Sequence, residues 1–97
     1  MNPIILSAMQ SKQCLSFSYG GYPRVAEPHV YGIKNGKIEI LCFQISGASS
    51  SGEILGWKRF ELSKIQNLQI RDQTFAGRRD TPSGQHSLWD RTFYIVS

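Results

Sequence analysis

Arg24, Glu27, Pro28 and His29 fall within six consecutive positions, directly ahead of the aromatic Tyr31. That is more polar density than a simple core strand needs, and it marks the stretch as one that touches a ligand. A guanidinium suits the oxygens of a phosphate. Tyr19 and His29 offer ring faces and hydrogen bonds to a nucleobase, in the manner of single-strand binders. Each has a plainer reading beside it. Arg24 could pair with Glu27 or another surface carboxylate, Tyr19 could be a core ring with its hydroxyl at the rim, and His29 could be a satisfied structural histidine. Glu27 itself reads as structural, fixing the strand beside Pro28. Arg59, Arg71, Arg78, Arg79 and Arg91 either extend a basic track for a phosphate backbone or are scattered surface charge. Trp57 and Trp89 are stacking platforms, or else pack in the core and at an interface respectively.

Residue types that would support catalysis are not grouped. Gly20-Gly21 has neither the glycine spacing of a phosphate loop nor the Lys-Ser/Thr that follows one. Cys14, Cys42, His29 and His86 lack metal-ligand spacing. Cysteines inside apolar strands are ordinarily inert, and Asp72, Asp80 and Asp90 stand in turn-like surroundings without clustered partners. The expectation is a binding protein and not an enzyme, with no cofactor and no metal.

The elements that must position these residues are short. Asn2 followed by Pro3 is a helix start, an N-cap side chain and then a proline where no N–H is required. Ile4, Ile5, Ala8 and Met9 share one face at helical spacing, so a helix is expected to end near Lys12 or Gln13 and to serve as a lid. Leu15, Phe17 and Tyr19 alternate with Ser16 and Ser18 in a first strand, about Cys14 to Tyr19. Gly20-Gly21 supplies a turn, and a second strand runs from about Arg24 to Lys34. Pro28 inside it cannot donate to a ladder and marks an edge, a bulge or a sharp bend. Asn35-Gly36 is the pair preferred by a type I′ hairpin. A third strand follows over Lys37 to Ile45, buried on both faces in its distal half. Ser46 to Gly52 reads as a loop. A fourth strand, about Ile54 to Leu62, puts Lys58 and Phe60 on one face and Trp57, Arg59 and Glu61 on the other. Ser63-Lys64 leads into a fifth, Ile65 to Arg71. Thr74 to Gln85 reads as an exposed basic connection, and Thr92 to Val96 as a further strand that joins an edge of the sheet or a neighbouring molecule.

Composition agrees with one ordinary globular domain. The 97 residues are 40% hydrophobic and 19% charged, with a net charge of +4. A moderate basic bias is compatible with nucleic acid or another anion without requiring either. Cys14 and Cys42 are expected as free buried thiols. No apolar run approaches a membrane span and no signal peptide is visible, so a cytoplasmic location and no membrane partner are expected.

From about Ile4 to Phe75 the chain resembles the WYL domain family of Sm-like β-barrels. The helix with Leu15-x-Phe17-x-Tyr19 resembles the family's opening. Arg24-Val25-Ala26-Glu27-Pro28-His29 resembles its R-x-x-E-P signature, and the run from Lys58 to Ile65 resembles its R-x-F-x-L-x-x-I segment. Phe75 stands where the family commonly has an aromatic. The Trp-Tyr-Leu triplet that names the family would fall at Glu39, Ile40 and Leu41, of which the leucine alone matches. Lys58 stands where the family has arginine, a point charge in place of a planar fork.

The resemblance implies a mainly β fold: a short N-terminal helix (1–13), a small five-stranded antiparallel Sm-like barrel (14–72) and a C-terminal extension (73–97) with a possible extra strand. It also implies a regulatory module in transcription regulation or phage defence that binds single-stranded nucleic acid or a nucleotide-like effector. Arg24, Lys58 and Arg59 would meet phosphates, and Tyr19 and His29 the base. The alternative is a protein-interaction module that docks on a separate DNA-binding regulator, or assembles with copies of itself through its C-terminal strand.

Overall fold

A computed structural model describes residues 1–47, 55–80 and 89–97. The loop residues 48–52 and the fourth strand's expected start at Ile54 lie outside the described residues. So do His86 and the end of the basic connection, residues 81–85.

Helix α1 spans Pro3–Ser11. The Asn2 side chain accepts hydrogen bonds from the backbone N–H groups of Ile4 (2.9 Å) and Ile5 (3.2 Å), which satisfies two of the donors that a helix start leaves open. Lys12 closes the helix in the left-handed region, its N–H turned back to the carbonyls of Ala8 and Met9. Ile5, Ala8 and Met9 are buried, as expected of a lid, but Ile4 is 38% exposed and Leu6 packs on the core in its place.

The strands are β1 (Gln13–Tyr19), β2 (Tyr22–Lys34), β3 (Lys37–Gly47), β4 (Gly56–Glu61), β5 (Gln66–Thr74) and β6 (Arg91–Ile95), with a single 3-10 turn at Leu62–Lys64 between β4 and β5. They form one antiparallel six-stranded sheet in the order β4-β3-β2-β1-β5, with β6 paired to β2. The closed five-stranded barrel expected from the sequence is therefore a bent, open sheet: β4 and β5 end the strand order and do not pair among the described residues. The C-terminal strand joins its own chain.

The 13-residue β2 organises this sheet. β3 pairs along one edge from Arg24 to Lys34. The other edge is divided, with Tyr22–Ala26 paired to β1 and Val30–Ile33 paired to β6. Among the described residues, strand pairing on that edge stops at Ala26 and resumes at Val30, and the register with β3 shifts between Pro28 and Val30. Proline has no donor to lose there, which is why the bend falls at this residue. The His29 carbonyl accepts from the Val96 N–H (2.9 Å), which satisfies that group at the interruption.

The sheet has two covered faces. One carries the main core, where Leu15, Phe17, Ala26, Tyr31, Ile40, Cys42 and Phe60 meet Ile5, Ala8 and Met9 of the helix. The Tyr31 hydroxyl accepts from the Asn2 N–H (2.9 Å) and fixes the helix entry. The other face carries Leu41, Phe43 and Trp57. Gly32 lets β6 approach there, because a Cβ at this position would run into the Arg91 carbonyl oxygen and against the Trp89 ring.

Gly32→Ala is expected to loosen β6 and to lower the unfolding free energy by roughly 1–3 kcal/mol, the range of an overpacked site. Urea unfolding checks it. A change below about 0.5 kcal/mol, the scale of an ordinary surface substitution, would mean that β6 contributes little to the fold.

Candidate functional site

Pairing register decides which of the expected ligand residues can act together, because residues opposite one another in an antiparallel ladder point to the same face. Arg24 lies opposite Phe17, Gln44 opposite Ala26, and Lys58 opposite Cys42. Arg24, Gln44, Lys58 and Tyr19 therefore share the core face at one end of the sheet. His29 and Arg59 belong to the opposite face, with Glu27, Phe43 and Trp57. The five residues expected from the sequence as one site are divided between two.

On the core face, Arg24 is only 7% exposed. Its Nη1 donates to the Gln44 Oε1 (3.2 Å) and its Nη2 to the Tyr19 carbonyl (3.1 Å). Its guanidinium carbon lies 5.3 Å from the Phe60 ring centre and 5.5 Å from that of Tyr19, within cation–π range. The Nε has no hydrogen-bond partner, and no carboxylate among the described residues pairs with Arg24. Burial lowers its pKa, with Tyr19 and Tyr22 acting in the other direction. Lys58 is half-buried on this face and likewise has no carboxylate partner among the described residues. The Tyr19 hydroxyl accepts from the Glu61 N–H (3.1 Å), and its ring meets Phe60 edge-on at 4.9 Å. Tyr19 is thus a core ring with its hydroxyl tying β1 to the end of β4.

The outer face holds a second constellation. Glu27 and His29, two apart on β2, face the same way, and Nε2 of His29 lies 3.0 Å from Oε1 of Glu27. Arg79 clasps the same carboxylate from the segment after β5, with Nε to Oε1 at 2.6 Å and Nη2 to Oε2 at 3.0 Å. Its guanidinium lies 4.0 Å from the centre of the Phe43 ring. Trp57 packs on both Phe43 (5.5 Å) and His29 (4.9 Å), and Phe75 closes on His29 at 5.2 Å. The Phe75 N–H donates to the Lys12 carbonyl (3.0 Å), which fixes the ring at the end of β5. Arg59 sits over Trp89 at 4.6 Å with Glu39 3.8 Å away; burial lowers its pKa and Glu39 opposes that.

Glu27 is therefore structural, as its position beside Pro28 suggests, but its partner is Arg79 and not Arg24. The signal for Gln44 is its place at the core-face period of Ile40 and Cys42, where an amide is out of character. For Arg79, seated 52 residues from Glu27, local sequence holds no signal. Arg59 is on β4 and Arg71 on β5, at opposite ends of the strand order. Arg71 borders a groove of about 300 Å³ that Arg24 also lines, with Ser16, Ser18, Asn67 and Gln69. No three His, Cys, Asp or Glu side chains among the described residues come together as a metal site requires. No helix among them is long and apolar enough to cross a membrane.

Burial pushes the Glu27 carboxyl up, but the hydrogen bonds from Arg79 and His29 and their charge outweigh it and hold the pKa below the usual value near 4.5. The unfolded chain then binds the proton more readily, so this contribution is present above about pH 4.5 and is lost as pH falls through the lower, folded value. Glu27→Gln is expected to cost about 1–3 kcal/mol at neutral pH, the scale of a hydrogen bond to a charged group. The gap between wild type and variant should narrow in acid. Urea midpoints measured against pH test this, and a gap constant from pH 7 to 3 would exclude it.

No family model, no curated protein and no solved structure matches the chain.

Proposed function

We propose that the chain is a WYL-like, Sm-like domain that binds single-stranded nucleic acid or a nucleotide-like ligand through its phosphate and serves in regulation. In this reading β1 to β5 correspond to the five strands of the family's barrel, here left as an open sheet, and β6 is an added strand.

The observation that carries it is Arg24. A buried cation loses several kcal/mol of hydration, and neutral acceptors on two of its nitrogens return only part of that. Charged groups are ordinarily buried with a counter-charge, yet this one has, among the described residues, an amide, a backbone carbonyl, two aromatic faces and an orphaned Nε. An anionic oxygen would complete it. Lys58 on the same face adds a second positive charge, and the basic balance of the chain favours a polyanion. Tyr19 positions Arg24 through its carbonyl and ring. His29 and Arg59 lie on the other face and take no part.

The alternative is a protein-interaction module that docks on a separate DNA-binding regulator, or assembles with copies of itself through the C-terminal strand. That strand is paired with β2 of its own chain.

Fluorescence-anisotropy titration of short single-stranded DNA and RNA is expected to show saturable binding that weakens as salt rises. Arg24→Gln combined with Lys58→Gln should reduce affinity by at least about tenfold, since each charge-assisted contact is worth roughly 1.5–3 kcal/mol. Unchanged binding by the folded double variant, or none by wild type at low salt, would rule out the core-face site.

A further inference from the structure

The outer-face constellation is already filled by a guanidinium, and the manner of its filling indicates what it recognises. We propose that Glu27, Phe43 and Trp57 form a binding site for an arginine side chain of a partner protein, which the chain's own Arg79 occupies in cis.

The walls of this site come from the sheet. Glu27 and His29 stand on β2, Phe43 on β3 and Trp57 on β4, and Phe43 and Trp57 lie directly opposite in the ladder. None of these placements depends on Arg79. His29 holds Oε1 of Glu27 from one side, which leaves the carboxylate presented as a two-oxygen acceptor. A planar fork on both oxygens, with an aromatic face at 4.0 Å, is the combination that distinguishes guanidinium from ammonium. Lysine could satisfy one oxygen but not both in that plane.

The occupant differs in character from the walls. The Glu27 side chain is 6% exposed, whereas that of Arg79 is 45% exposed. Arg79 belongs to the stretch 75–80, which follows β5 and carries no helix or strand. The backbone of that stretch is anchored without the guanidinium, by the Phe75 N–H on the Lys12 carbonyl and the Arg78 N–H on the Ser97 carbonyl. The Arg79 side chain can therefore leave the site while its backbone stays. A tethered occupant competes at an effective concentration on the order of millimolar. A partner arginine must displace it, so the site is closed by default. This is independent of the ligand proposed for the core face.

The test uses Arg79→Ala in the full chain, with N-acetyl-arginine amide as the probe and the indole N–H resonance of Trp57 as the readout. A saturable shift is expected in Arg79→Ala and a response at least about tenfold weaker in wild type, where the cis side chain competes. N-acetyl-lysine amide should give no saturable shift, and neither should the Arg79→Ala, Glu27→Gln double variant. If Arg79→Ala fails to fold, Arg79→Lys replaces it, and it should bind the arginine probe more tightly than wild type does. No arginine-dependent shift in the folded variant, or an equal response to lysine, would overturn the proposal and leave Arg79 as a structural ion pair.

Discussion

Between Ala26 and Val30, β2 changes the neighbour on one of its edges, and the polar groups of residues 27–29 must be satisfied by something other than a ladder. Proline at the middle position removes one donor from the problem. The His29 carbonyl is met by the Val96 N–H, which draws the C-terminal segment onto the sheet. The Glu27 carboxylate, turned to the outer face, is met by Arg79 and His29, and Phe43, Trp57 and Phe75 pack around this group. The bend, the buried acid and the second aromatic layer are thus consequences of one interruption in one strand.

Two arginines on opposite faces show how differently the same group can be housed. Arg79 is half-exposed and has a full carboxylate, so it keeps part of its hydration and gains two charge-assisted bonds. Arg24 is nearly covered and, among the described residues, has an amide and a carbonyl as hydrogen-bond acceptors and two aromatic faces beside it. Electrostatics alone would favour the reverse assignment, with the carboxylate beside the deeper cation. That it does not occur follows from pleat geometry: Arg24 and Glu27 are three apart on an extended strand and point to opposite faces. The carboxylate and the deep cation are kept apart by the sheet itself.

Much of the fold was legible because local rules and tertiary demands coincide here. Asn2-Pro3 caps the helix, Asn35-Gly36 turns the second hairpin and Pro28 marks the bend, each for a reason internal to a few residues. The alternation in the first and fourth strands likewise placed Phe17, Phe60 and Lys58 correctly. The site was less legible. Proximity in sequence grouped Arg24 with His29 and Lys58 with Arg59, whereas strand parity separates both pairs. Arg79 was visible as a basic residue, but its partner is set by the path of the chain after β5, which no local pattern encodes. Ile4 went astray for a smaller reason: the helix presents a narrow stripe to the core, and position 4 lies at its margin.

The divided edge of β2 also has a consequence in time. The hairpins β1–β2 and β2–β3 are closed by two-residue turns and can form early, at little cost in loop entropy. The partner of Val30 is Ile95, almost at the other end of the chain. Until β6 arrives, the distal half of β2 presents a bare, strongly apolar edge around Val30, Tyr31 and Ile33, which is the kind of surface on which nascent chains pair wrongly. By pairing with this edge, β6 acts as a built-in guard that covers it in the folded protein.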